Sequence, residues 1–223
     1  MGKQIKKIIA LTSLILLPML TFSQETWIHK AGLSLTSPFY SVNVKDDGIK
    51  NSFTPQVTAR YFGIAPCGLS FSGALGIGPS FSRDFSFASE DVNSSGLSLL
   101  FSTGLGYSFK INKRWTLTAL GTLSLDWMHY KFKKELEART STSTYTKDWT
   151  QTDNILTFAV GGEILGFYSI NDHLSLFASL GLKFFDDGKL WREGDKYGTS
   201  YDSTYDIRGN LSVSPSLGAS WKF

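Results

Sequence analysis

From Ile207 to Phe223 the chain alternates with a period of two. Ile207, Gly209, Leu211, Val213, Pro215, Leu217, Ala219, Trp221 and Phe223 share one parity. Arg208, Asn210, Ser212, Ser214, Ser216, Gly218, Ser220 and Lys222 share the other. Successive strand residues point to opposite faces, so this segment reads as a single β-strand with one apolar side and one small, polar side. Few soluble folds place Trp221 and Phe223 on the apolar face of a terminal strand, because termini fray into water. The expectation is a strand that faces lipid.

The same period recurs at 27–36, 53–64, 69–81, around Leu97 to Phe109, and at 115–131, 152–170 and 174–185, which with 207–223 makes eight strands. Their connections alternate in length. Short turns fall at 65–68, 111–114 and 171–173, and long polar connections at 37–51, 82–95, 132–151 and 186–206. Short turns at one end and long loops at the other describe an even-stranded, up-and-down transmembrane barrel. The predicted fold is all-β, an eight-stranded antiparallel up-and-down transmembrane β-barrel with short periplasmic turns and four long extracellular loops.

Which face meets lipid follows from the polar residues. A soluble barrel is apolar inside and charged outside. Here the polar faces are mostly Ser, Thr and Gly, while the charges gather in the connections, which suits a crowded lumen. Trp27, Phe71, Tyr107, Phe109, Trp115, Tyr168, Trp221 and Phe223 cluster near the short-turn end, as an interfacial girdle requires. Trp127 shares a face with Trp115; the twelve-residue separation spans about 40 Å along a strand and roughly 30 Å along the membrane normal at a tilt of about 40°.

The N-terminus reads as a cleaved signal peptide over 1–23: Lys3, Lys6 and Lys7 precede an apolar run from Ile8 to Leu20 and the small-x-small site Thr21-Phe22-Ser23. That run is too short to span a bilayer as a helix. Removing it takes three lysines from the 22 basic residues and leaves 19 against 19 acidic ones, so no nucleic-acid partner is expected. Residues 24–223 fit one barrel domain. The single cysteine, Cys67, is expected to be an inert turn residue.

This layout, with the terminal strand ending Ala219-Ser220-Trp221-Lys222-Phe223, resembles the small eight-stranded outer-membrane barrels of the OmpA transmembrane domain and OmpX type. The resemblance covers essentially all of 24–223. It implies location in the cell outer membrane among lipids and lipopolysaccharide, and a monomeric state. It also implies that Trp221 and Phe223 form the signal read by the barrel-assembly machinery. No periplasmic peptidoglycan-binding domain follows Phe223, so a cell-wall tether is not implied.

Five charges fall on the lumen face: Lys30, Arg60, Asp126, Glu163 and Lys183. If Ile170 lies opposite Leu174, Glu163 is opposite Gly181 and a diagonal neighbour of Lys183, so a Glu163–Lys183 ion pair is expected, with Arg60 and Asp126 as candidate further members. Charges held in a narrow interior must be paired or wetted, which points to closing the barrel rather than to catalysis. An enzyme needs a base beside a nucleophile, with an orienting partner. His29 and His129 fall on the outward face near the lower and upper rims, His173 lies in a short turn, and Asp126 and His129 differ in parity. No catalytic, cofactor or metal residues are expected; the acidic fourth loop lacks the twelve-residue calcium pattern. Tyr, Trp, Ser and Gly in the third and fourth loops make adaptable surfaces for an extracellular ligand. The expected function is structural or one of surface interaction. A narrow pore is the alternative because Ser and Gly are abundant on the lumen face, and a lipid A modifying enzyme is the third class.

Overall fold

The computed structural model describes residues 27–44, 48–82, 93–139, 144–196, 199–207 and 210–223; the expected leader at 1–23, the third-loop tip at 140–143, Tyr197 and Arg208 lie outside the described residues. Eight strands form the wall. They are β1 (Ile28–Thr36), β4 (Gln56–Ile64), β5 (Leu69–Pro79), β7 (Asn93–Lys110), β8 (Trp115–Arg139), β9 (Thr144–Ser169), β10 (Leu174–Lys196) and β12 (Asn210–Lys222). Each pairs antiparallel with its neighbours in that order, and β12 returns to pair with β1 from Lys30↔Lys222 to Thr36↔Ser216. The sheet therefore closes, and no wall edge is left for a second chain to extend.

Alternation sorts the side chains as the sequence requires. Leu33, Leu35, Leu75, Leu105, Ile164, Phe184 and Leu217 are 58–68 % exposed on the outer surface. So continuous an apolar belt is untenable against water and fits hydrocarbon. Rings pair along its lower edge: Trp27 with Phe71 (5.6 Å between centroids), Tyr107 with Phe109 (4.8 Å), Trp115 with Tyr168 (5.0 Å) and His173 with Trp221 (5.5 Å). Trp127 stacks on His129 at 5.8 Å at the upper edge.

The short turns are built by local chemistry. Asn112 Oδ1 accepts from the Arg114 and Trp115 amides, both at 2.9 Å, and Asn171 Oδ1 accepts from the His173 and Leu174 amides at 2.9 and 2.7 Å. In the remaining turn Gly68 has φ of +93°, a conformation open to glycine at little cost, and its amide donates to the Ala65 carbonyl. The exposed Cys67 sits beside it.

At the upper end the wall continues upward as strand into the long connections. β8 runs to Arg139, β9 begins at Thr144 and β10 reaches Lys196. β10 then pairs with β11 (Thr199–Ile207). β2 (Phe39–Val44) and β3 (Gly48–Phe53) form a hairpin held against β12 through Leu211↔Ser41 to Val213↔Phe39, and β6 (Phe81–Ser82) pairs with β3. The reason is a reversal of polarity. Below Trp127 apolar residues face out; above it Tyr130, Phe132, Ile155 and Leu190 face in and are buried, while Lys131, Lys133 and Glu193 face out and are exposed. Strand period persists across the change of solvent on β8 and β9, and on β10 it shifts by one residue at a bulge between Phe185 and Asp187; on all three the buried face becomes the apolar one.

Candidate functional site in the barrel interior

Large inward side chains come mainly from β8, β9 and β10, and they pack against small ones on β12, β1, β5 and β7. Gly218 shows how. A Cβ there would meet Phe177 Cζ at 2.7 Å, so the glycine admits the Phe177 ring against β12.

At the lower mouth lies Lys30, buried, donating to Ser175 Oγ at 3.2 Å with its ammonium 4.5 Å from the centroid of Phe167. Phe62, Phe167 and Phe177 form the next layer, with centroids 5.1–5.6 Å apart, joined by Leu120 and Leu165 in one buried cluster. Above it Arg60 Nη1 donates to Glu163 Oε1 at 2.6 Å, and the Ser179 hydroxyl donates to the same oxygen at 2.6 Å.

One step higher is Asp126, 1 % exposed. Lys183 Nζ lies 3.3 Å from both its oxygens, the Tyr40 hydroxyl donates to Oδ1 at 2.8 Å and the Ser124 hydroxyl to Oδ2 at 3.0 Å. Tyr40 comes from β2, so the first upper hairpin closes over the charge layer.

A second apolar cluster follows: Met128, Tyr130, Phe132, Ile155, Leu190 and Ile207, with Tyr40 and Ala159. Burial pushes the Tyr130 hydroxyl up from its ordinary pKa. Arg192 caps the stack by donating to both oxygens of the buried Asp153 at 2.9 Å; Gln151 donates to Asp153, and Tyr205 lies under the guanidinium at 5.4 Å.

Of the expected lumen group, Arg60, Asp126, Glu163 and Lys183 all lie inside the barrel, but the pairing differs from the expected one. Glu163 is opposite Gly181, as the register required, yet it binds Arg60 rather than Lys183, which binds Asp126. The cause is the crossing of the lumen: Gly161 and Ala159 on β9 leave room for Lys183 of β10 to reach β8, and Arg60 extends from the far wall. Sequence reasoning missed the Arg192–Asp153 pair: the inward parity of the sixth strand carried upward reaches Asp153, but a bulge between Phe185 and Asp187 shifts the seventh strand by one residue, so Arg192 turns inward against the parity set below it. Trp221 and Phe223 lie at the lower rim, stacked on His173 and His29. Asp126 and His129 face opposite ways, and His129 sits beside Asn154 Oδ1 at 2.8 Å. Among the described residues no group of His, Cys, Asp and Glu side chains is arranged to hold a metal ion.

No protein-family model and no curated protein matches the sequence. Solved structures match it by shape. A major outer membrane protein from Thermus thermophilus superposes with a TM-score of 0.51 at 14% identity, over 86% of this chain and 99% of that one. The outer membrane protein AlkL, solved in DMPC lipid bilayers, superposes with a TM-score of 0.50 at 12% identity, over 91% of this chain and 93% of that one. At such identities the likeness is one of fold. The closed wall of eight antiparallel strands, its apolar belt and this likeness place the chain, by fold, with the small outer-membrane β-barrels.

Proposed function

We propose that this protein is a closed, monomeric barrel of the outer membrane, inserted there by the barrel-assembly machinery, and that its task is structural or one of surface interaction carried above the bilayer. One observation carries the reading. Two fully buried apolar clusters, Phe62–Phe167–Phe177 below and Tyr130–Phe132–Ile155–Leu190 above, bracket paired charges across the interior. An interior filled this way has no evident route for solute, which leaves the outer surface of the upper strands to meet a ligand or the surrounding lipopolysaccharide. Trp191, exposed on β10 beside the Lys189–Asp206 ion pair, offers an aromatic anchor of the kind interfaces favour.

A second reading, a narrow pore, draws on a specific feature. On β4, Gln56 Oε1 and Thr58 Oγ1 are buried with no partner, and buried polar atoms of that kind are commonly met by water. Planar-bilayer recording separates the two. The closed reading expects no steady conductance from the purified protein, and a stable open channel would overturn it. Lipid A from cells with and without the chain is expected to be identical, and a change would establish the enzymatic class instead.

A further inference from the structure

The interior charges do not balance. Among the described residues the buried or nearly buried lumen charges are Lys30, Arg60, Lys183 and Arg192 against Asp126, Asp153 and Glu163. Each carboxylate is already engaged: Glu163 by Arg60, Asp126 by Lys183, and Asp153 by Arg192. Among the same residues, Lys30 has no carboxylate partner. Its ammonium carries three donors, of which one meets Ser175 Oγ while the ring face of Phe167 covers another side.

The surroundings of Lys30 are those of a site. Ser220 on β12 lies directly opposite both Gly32 of β1 and Ser175 of β10, on the lumen face between the root of Lys30 and its bonding partner. Ser220 is 2 % exposed and its hydroxyl has no partner. The aromatic trio closes the space above. The lower rim is one residue pair away, where Lys30 pairs with the exposed Lys222 and the Phe223 amide donates to the His29 carbonyl. A buried cation with free donors, next to an orphaned hydroxyl and below an apolar ceiling, needs a compensating negative charge.

We propose that the lower mouth of the lumen binds a small monovalent anion of halide size, held by the Lys30 ammonium and the hydroxyls of Ser220 and Ser175. One free positive charge selects a monoanion, and Phe62 and Phe167 limit its size. The site stands whether or not the barrel conducts, because it lies below the aromatic trio.

The test follows urea unfolding of the full chain in lipid vesicles as chloride replaces gluconate, an anion too bulky for the mouth, at constant ionic strength. Above the dissociation constant, each tenfold rise in chloride is expected to raise the folding equilibrium constant about tenfold. Lys30→Met abolishes that dependence, Ser220→Ala moves its onset to higher chloride, and Lys222→Met at the exposed rim keeps it. Bromide soaked into crystals gives an anomalous peak within hydrogen-bonding distance of Lys30 Nζ, a readout that stands even if Lys30→Met does not fold. Equal stability in chloride and gluconate, a chloride response that survives Lys30→Met, or no bromide at Lys30 overturns the proposal.

Discussion

Glu163 is a single carboxylate with two short hydrogen bonds, one from Arg60 and one from Ser179. Arg60 also holds an Nε with no partner, so its guanidinium is compensated at one end only. Glu163→Gln keeps the volume and an acceptor but removes the charge, leaving Arg60 uncompensated above the Phe177 ring. Removing one member of a buried pair costs about 3 kcal/mol. The expected outcome is a loss of that order in urea unfolding from vesicles, with most of it recovered when Arg60→Met is added. An unchanged midpoint for Glu163→Gln would show that the pair holds nothing together. Sequence reading placed Arg60 and Glu163 on the lumen face because parity alone sets the face. It assigned the wrong partner because adjacency in register describes neighbours along the wall, whereas long side chains in a narrow barrel meet across it.

The turns are the elements most fully legible in the chain. Ile111-Asn112-Lys113-Arg114 and Ile170-Asn171-Asp172-His173 share an asparagine whose side chain caps two amides at the start of the next strand. Asn112→Ala and Asn171→Ala each remove two such bonds in an exposed turn, where a net hydrogen bond contributes about 1 kcal/mol. Each variant is expected to lose about 1–2 kcal/mol and to keep its heat-modifiable migration in detergent gels. The upper strands were the least legible elements. Tyr130, Phe132, Asp153 and Ile155 obey the inward parity of the strands below them, and Leu190 and Arg192 face in after the bulge between Phe185 and Asp187, but their outward neighbours are mostly polar. A search for apolar-out alternation therefore reads them as loops, although only the solvent has changed.

For the whole molecule, closure depends on two separate apolar plugs with ion pairs between them. Cutting one plug leaves the other in place. Phe62→Ala alone and Tyr130→Ala with Phe132→Ala are each expected to stay silent in planar bilayers, while the triple variant conducts. Conductance from either partial set alone would show that a single layer seals the barrel. By itself the sequence determined the strand count, the inward or outward face of the wall residues below the β10 bulge, the positions of the short turns and the girdle aromatics. All of these follow from a period of two and from turn chemistry, which act over a few residues. The tertiary structure alone decided that Arg60 meets Glu163, that Lys183 and Tyr40 meet on Asp126, that Arg192 caps Asp153 and that Lys30 is left without an acid among the described residues. All but the last pair join strands that are not neighbours in the wall, and they form only once the sheet has closed and its stagger has set which side chains share a height; Arg192 and Asp153 are cross-strand partners on β9 and β10, turned inward together by the bulge between Phe185 and Asp187.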